Sequence, residues 1–363
     1  MRVPVDKILL LLSSLAVIIG LLMFFSVSTA ASTQRDQEAL FFFYKQIYSG
    51  VIPGIILAFI VSRIDYKFWE KISLILVLIG FGLLIILDFT SVGLNLNGAV
   101  RWIDLGFFVF QPSEFVKLAA ICYTAVWLNK RSGDLKSFVR GVLPLLLILL
   151  GFSVLLIRQP DAGTMIAMLA TCGAMIFVGG VPFRHLLYIL VASVAALLAI
   201  FRTSSYRWNR IVTYLNHNVD TQGTSYHVNQ ALITIGLGGT RGVGYGLSRQ
   251  KSGYLPEILN DSVFAVISEE LGFYRVSGII LILLAFCARI IYLSYTIKDG
   301  FGRLLVYGIG VNFAVHIFIN IAAMVKLVPL TGLPLPFFSQ GGSSYLVNMI
   351  MLGIVFSASR HRE

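Results

Sequence analysis

The sequence predicts an all-α fold: a polytopic integral membrane protein of about ten transmembrane helices, with a long extracytoplasmic loop before the eighth. Composition, run length and charge placement carry this. Of 363 residues, 57% are hydrophobic and 12% charged, against a charged share of about a quarter in soluble domains. The mean hydropathy is +0.86. Apolar runs of about twenty residues, enough to cross a bilayer as helix, recur along the chain. The basic residues fall in the short gaps between them. A soluble chain of this length has too little polar surface to cover such a composition, whereas a helix bundle in lipid closes its backbone hydrogen bonds internally and leaves apolar side chains to the acyl chains.

The runs place spans at 7–29, 46–62, 71–89, 114–129, 140–157, 164–180, 184–201, 276–297, 303–325 and 341–358. Arg2 and Lys7 before the first run and the small residues from Ser28 to Ser32 after it resemble a secretion signal. Its apolar stretch exceeds the roughly 7–15 residues of such signals, so it reads as a retained span. With the N-terminus in the cytoplasm, Arg63, Lys67, Lys71, Lys130, Arg131, Lys136, Arg140, Arg184, Lys298, Arg303, Arg360 and Arg362 all lie inside. By the positive-inside rule both termini are cytoplasmic, and the loop at about 202–275 lies outside together with Asp88–Gln111. The chain reads as one transmembrane domain over 1–363, without an internal repeat of the kind that marks inverted transporter halves. Its net charge of +11 is scattered rather than gathered in a basic tract, which suits topology and anionic lipid and excludes a nucleic-acid partner. Cys122, Cys172 and Cys287 each sit inside an apolar run, with no metal or disulfide spacing.

The long loop is not composed like a linker. Tyr206, Trp208, Tyr214, Tyr226, Leu232, Ile233 and Leu237 interleave with Arg207, Arg210 and His227, as in short amphipathic helices lying in the membrane interface. A glycine-dense stretch, 236–246, and a polar one, 248–257, follow.

Ionisable residues at membrane depth are costly and by default mark function. In Arg101–Glu114, Pro112 suits a first helical turn, Gln111 or Ser113 its cap, and Glu114 the positive end of the helix dipole. Lys117 lies one turn on, so a Glu114–Lys117 pair forms near the outer face, either as a structural pair or facing substrate. Between the fifth and sixth spans, Arg158–Thr164 makes a tight turn in which Asp161 either caps the next helix or serves chemistry. Asn260 or Asp261 stands where the loop meets an apolar helix, again a capping position by residue type alone. Glu269 and Glu270 lie in or near that helix and need a partner such as an arginine. Lys326–Tyr345, broken by prolines and glycines at membrane depth, reads as a re-entrant or cavity-lining loop. No metal spacing, nucleophile elbow or P-loop is present.

These residues resemble a known family. Arg101-Trp-Ile, Gln111-Pro-Ser-Glu-Phe-Val-Lys117, Gln159-Pro-Asp-Ala-Gly-Thr164, Gly244-Tyr-Gly-Leu-Ser-Arg-Gln-Lys251, Tyr254-Leu-Pro-Glu257 and Pro329–Ser344 are similar, in order, to the motifs of the SEDS (shape, elongation, division, sporulation) family. Ser248–Lys251 before Tyr254–Glu257 is more similar to its division branch, FtsW, than to its rod-shape branch, RodA. The resemblance implies a glycosyltransferase that polymerises lipid II at the outer face of the bacterial cytoplasmic membrane in septal wall synthesis. It also implies a class B penicillin-binding protein as transpeptidase partner, among other division proteins. The family's catalytic aspartate falls on Asp261, which turns that residue from cap to base. Arg101, Trp102, Glu114, Lys117, Asp161 and Ser343 fall on motif positions around the cavity. Arg101, Lys117, Arg158, Arg210 and Lys251 are candidates to hold the pyrophosphate, and Trp102 stacks on sugar or marks the interface. No cofactor is dictated, and a divalent cation, Mg2+ or Mn2+, stays open beside them. The chain departs from the family pattern at Leu259, Asn260, Ser262 and Gln340. Rival readings are a RodA-like role in elongation rather than division, a lipid II flippase using the same groove, and a non-catalytic scaffold.

Overall fold

The structure is a computed structural model that describes residues 4–90, 92–96, 99–106, 108–202 and 224–361. Each expected span lies in a helix. These are α1 (Lys7–Gln34); α2 (Phe41–Gln46), which runs through a π turn at Ile47–Val51 into α3 (Ile52–Arg63); α4 (Lys67–Phe89); α5 (Pro112–Lys130); α6 (Leu143–Arg158); α7 (Ala162–Val178); and α8 (Phe183–Arg202). After the loop come α9 (Thr224–Gly238), α10 (Val263–Tyr295), α11 (Gly300–Met324) and α12 (Gly342–Ser359). Seven of these, counting Phe41–Arg63 as one, are long and apolar enough to cross a membrane by length and composition. The rest of the ten are α5, whose buried Glu114 and Lys117 dilute its apolar character, and the shorter or partly described α7 and α8. The chain is a multi-pass membrane protein.

Helix signals act where they are expected. Asp6 caps α1, its carboxylate accepting from Leu9 N at 2.7 Å, and Asp299 caps α11 through Gly302 N at 2.8 Å. Pro112 opens α5 at a position where its missing N–H is no loss. Ile8, Leu11, Leu22, Ile75, Leu78 and Leu281 are exposed along α1, α4 and α10, a surface only lipid can solvate. Of the seven long apolar helices, α11 and α12 are the most buried, with 67% and 72% of their apolar windows inside, and α5 is buried along most of its length as well. α12 packs along α3, α11 along α10 and α5 along α4, while α1 and α9 both lie on α10.

Two features differ from expectation. Between α4 and α5 the described residues form a three-stranded antiparallel sheet, β1 (Gly93–Leu96), β2 (Ala99–Asp104) and β3 (Val109–Phe110), in order β1-β2-β3. Gly93 pairs with Ile103 and Ile103 with Phe110. The long loop ends at Ser262 rather than near 275, because 263–271 are already helical; α10 then bends at Gly272, whose φ of 73° and ψ of 175° suit glycine. Of the expected interfacial residues, Tyr226, Leu232, Ile233 and Leu237 lie on α9, whereas Tyr206, Arg207, Trp208, Arg210 and Tyr214 lie outside the described residues.

Counting crossings, the β-sheet, the α6–α7 turn, the segment 239–262 and the loop 326–341 meet at one face of the bundle. The start of α1 and the end of α12 lie at the other.

Candidate active site

The loop Lys326–Gln340 is the floor of the site. It has no regular structure, yet Leu333, Leu335, Phe337 and Phe338 are buried. Its carbonyls and turns are tied from all sides. Asn320 of α11 donates both to Leu333 O at 2.8 Å and to Asp261 O at 3.0 Å. Gln340 N donates to Leu259 O at 2.7 Å, and Gln46 accepts from Gly341 N at 3.2 Å. The N-terminus of α7 closes against the same loop: a side chain at Gly163 would put a Cβ 2.6 Å from Thr331 O. Irregular backbone at this depth survives because protein groups satisfy it.

Asp261 lies on this floor, 6% exposed. The position a Cβ would take at Gly332 is 4.0 Å from its Oδ2, and Nε2 of His227 is 3.9 Å from its Oδ1. The N-cap of α10 is Ser262, whose side chain caps nothing, so neither Asn260 nor Asp261 is there to cap. Ser262 Oγ instead meets His227 Nε2 at 2.6 Å. Asn260 donates to Glu257 at 2.6 Å and Leu259 is buried, so the departures at these two positions are absorbed by local packing.

The other expected residues fall into two sets. Around the site, Arg101 donates to Gln159 O at 2.9 Å and to Pro160 O, fastening β2 to the α6–α7 turn. Trp102 is half-buried on the same strand. Asp161 caps α7, accepting from Thr164 N at 3.2 Å, and its Oδ2 is buried without a hydrogen bond among the described residues. Glu114 and Lys117 form the expected pair at 2.9 Å, both 2% exposed, and Lys117 also meets His316 at 3.0 Å. Arg158, 55% exposed, pairs with Asp88 at 3.2 Å and lines a cleft of about 460 Å³ with Thr90, Val100 and Gln159. Ser343 joins β3 to α12, donating to Val109 O and accepting from Gln111 N, each at 2.9 Å.

Lys251 is in the second set, and its geometry is not that of a phosphate ligand. Its ammonium is buried against Glu270 at 2.7 Å, Ser26 Oγ at 2.8 Å and Gly246 O at 2.9 Å. Glu270 thus finds a lysine rather than an arginine, and Glu269 accepts from Ser248 Oγ and from Arg249 N at 3.1 Å. Arg210 lies outside the described residues. Among the described residues no three His, Cys, Asp or Glu side chains come together to hold a metal. His227 is the site residue that sequence reasoning passed over: it stood among interfacial aromatics, and nothing in its spacing pointed to Asp261.

The pattern that defines the "Cell cycle protein" family of FtsW, RodA and SpoVE matches residues 6–363. The chain belongs to this family. It is 35% identical over 357 residues to Stage V sporulation protein E of Bacillus subtilis, covering 98% of this chain and 97% of that one. It is 33% identical over 354 residues to the probable peptidoglycan glycosyltransferase FtsW of a Geobacter species, covering 98% and 96%. Among solved structures it resembles a chain of a peptidoglycan synthase complex that coordinates polymerization and crosslinking, with a TM-score of 0.81, 27% identity and 98% of each chain covered. The family match spans every element that builds the site.

Proposed function

We propose that this protein is a peptidoglycan glycosyltransferase that polymerises lipid II at the outer face of the cytoplasmic membrane, with Asp261 as its general base. The observation that carries this reading is the Asp261 carboxylate at the junction of α9, α10 and the loop 326–341, on the face that also bears Arg101, Arg158 and the N-termini of α7 and α12. The names of the relatives support the same chemistry.

Lipid II carries a pyrophosphate at headgroup height and a disaccharide beyond it, so its polymerase needs a lipid-open groove, cations at that height and a base above them. Asp261 takes the proton from the 4-hydroxyl of the acceptor sugar as that oxygen attacks the anomeric carbon of the growing chain. The C–O bond to the lipid pyrophosphate breaks with its electron pair. Arg158, half exposed beside its cleft, can turn from Asp88 to the departing phosphates, and helix N-termini favour the same charge. Lys117, paired and buried, sets the local field rather than reaching out. A class B penicillin-binding protein is the proposed crosslinking partner, and septal wall the proposed product.

The test is polymerisation of lipid II by the purified chain with its partner transpeptidase. Asp261→Asn is expected to lower the rate by about 10²–10⁴-fold, the range of general-base assistance. Unchanged polymer would refute the base. Lipid translocation without polymer from the wild type would favour a flippase, and neither activity a scaffold.

A further inference from the structure

We propose that His227 is the second member of the acid–base unit, holding the Asp261 carboxylate and receiving the proton that Asp261 takes from the acceptor sugar. The proposal rests on Asp261 being the base. Its own ground is the placement of one imidazole. α9 lies along α10, which brings His227 over the junction where the chain enters α10. There its Nε2 is 2.6 Å from Ser262 Oγ and 3.9 Å from Asp261 Oδ1.

Burial makes a second group necessary. Asp261 is 6% exposed and Ser262 fully buried. A carboxylate so enclosed recovers its charge between turnovers only if the proton has an outlet. The His227 side chain, 12% exposed against 8% for that of Asp261, is a proton carrier beside that carboxylate. Imidazole is the side chain suited to this, since it accepts at one ring nitrogen and releases at the other near neutral pH.

The proton balance is simple. In the resting state the Ser262 hydroxyl donates into Nε2, and the ring proton is on Nδ1. After glycosyl transfer the neutral Asp261 carboxyl gives its proton to the Nε2 lone pair, leaving a carboxylate beside an imidazolium. Ser262 Oγ then turns from donor to acceptor. Loss of the Nδ1 proton to water leaves the neutral Nε2–H tautomer, and exchange of that proton with water for one on Nδ1 returns the resting state, with the Nε2 lone pair ready for the next turnover. The 3.9 Å gap exceeds a hydrogen bond by about 1 Å, which a small side-chain rotation closes; catalytic contacts commonly tighten when substrate binds.

Two measurements test this on the full chain. In lipid II polymerisation with the partner transpeptidase, His227→Gln keeps a hydrogen-bonding side chain against Ser262 but cannot carry a proton. The expected result is a fall in turnover of about 10²-fold, at the low end of general acid–base effects, with KM unchanged. In histidine-labelled protein in micelles, the NMR titration midpoint of His227 is expected to drop in Asp261→Asn, because the carboxylate that favours imidazolium is gone. If His227→Gln turns over like wild type while Asp261→Asn is inactive, the relay is wrong and the base stands. If Asp261→Asn is active, the base assignment fails and the relay with it. Should His227→Gln not fold, the titration decides alone: an unmoved midpoint overturns the proposal.

Discussion

Gly163 shows how little room the site leaves. A methyl group there would stand 2.6 Å from the carbonyl oxygen of Thr331, and since both partners are backbone, something must move. Gly163→Ala is expected to lower stability by about 1–3 kcal/mol, the cost of overpacking, and to push the loop 326–341 off α7. Thermal unfolding in detergent measures the first effect and lipid II polymerisation the second; an alanine variant as stable and active as wild type would show that the contact is slack. Single residues differ in how far sequence exposed them. The Glu114–Lys117 pair was readable because i and i+3 share a helix face, and Asp161 because a cap needs no distant partner. His227 was not, because its contact with Asp261 exists only once α9 is laid on α10. Lys251 was misread for the same reason: its polar surroundings in sequence look solvent-facing, while its partners, Ser26 and Glu270, come from α1 and α10.

At the scale of elements, the entry to α10 decides where Asp261 stands. The segment 239–262 has no long helix of its own, and among the ties that hold it are backbone bonds from Val243 and Gly244 to the carbonyls of Glu269 and Glu270, and the Lys251–Glu270 pair with Ser26. Breaking a buried pair from one side strands a charge and costs about 3–5 kcal/mol, whereas replacing both partners with apolar groups can be nearly neutral. Lys251→Met is therefore expected to destabilise the protein strongly, and Lys251→Met with Glu270→Leu to regain most of the loss. A double-mutant cycle on detergent melting temperatures measures this, and additive losses would refute a coupled pair. The spans themselves were evident in the sequence because lipid demands about twenty apolar residues at each crossing. The small sheet was not: strands as short as Gly93–Leu96 and Val109–Phe110 give no hydropathy signal. The Asn97–Gly98 pair between the first two strands is nevertheless a hairpin sequence.

Across the whole molecule, the order of helices puts every residue proposed for catalysis on one face and leaves only the direction of that face to charge. The opposite face carries Arg63, Lys67, Lys130, Arg131, Lys136, Arg140, Arg184, Lys298 and Arg303, the excess that marks the cytoplasmic side. The substrate's disaccharide must be used outside, so the charge rule and the proposed chemistry demand the same orientation for independent reasons. Cysteine labelling tests both. The native thiols Cys122, Cys172 and Cys287 are buried in the bundle and give little background. Ser252, exposed in the segment that leads into Asp261, and Ser132, exposed in the turn between α5 and α6, differ from cysteine by one atom. In intact cells a membrane-impermeant maleimide is expected to label Ser252→Cys and to spare Ser132→Cys until the membrane is opened. The reverse pattern would put Asp261 in the cytoplasm, where a polymerase of external wall has no use for it.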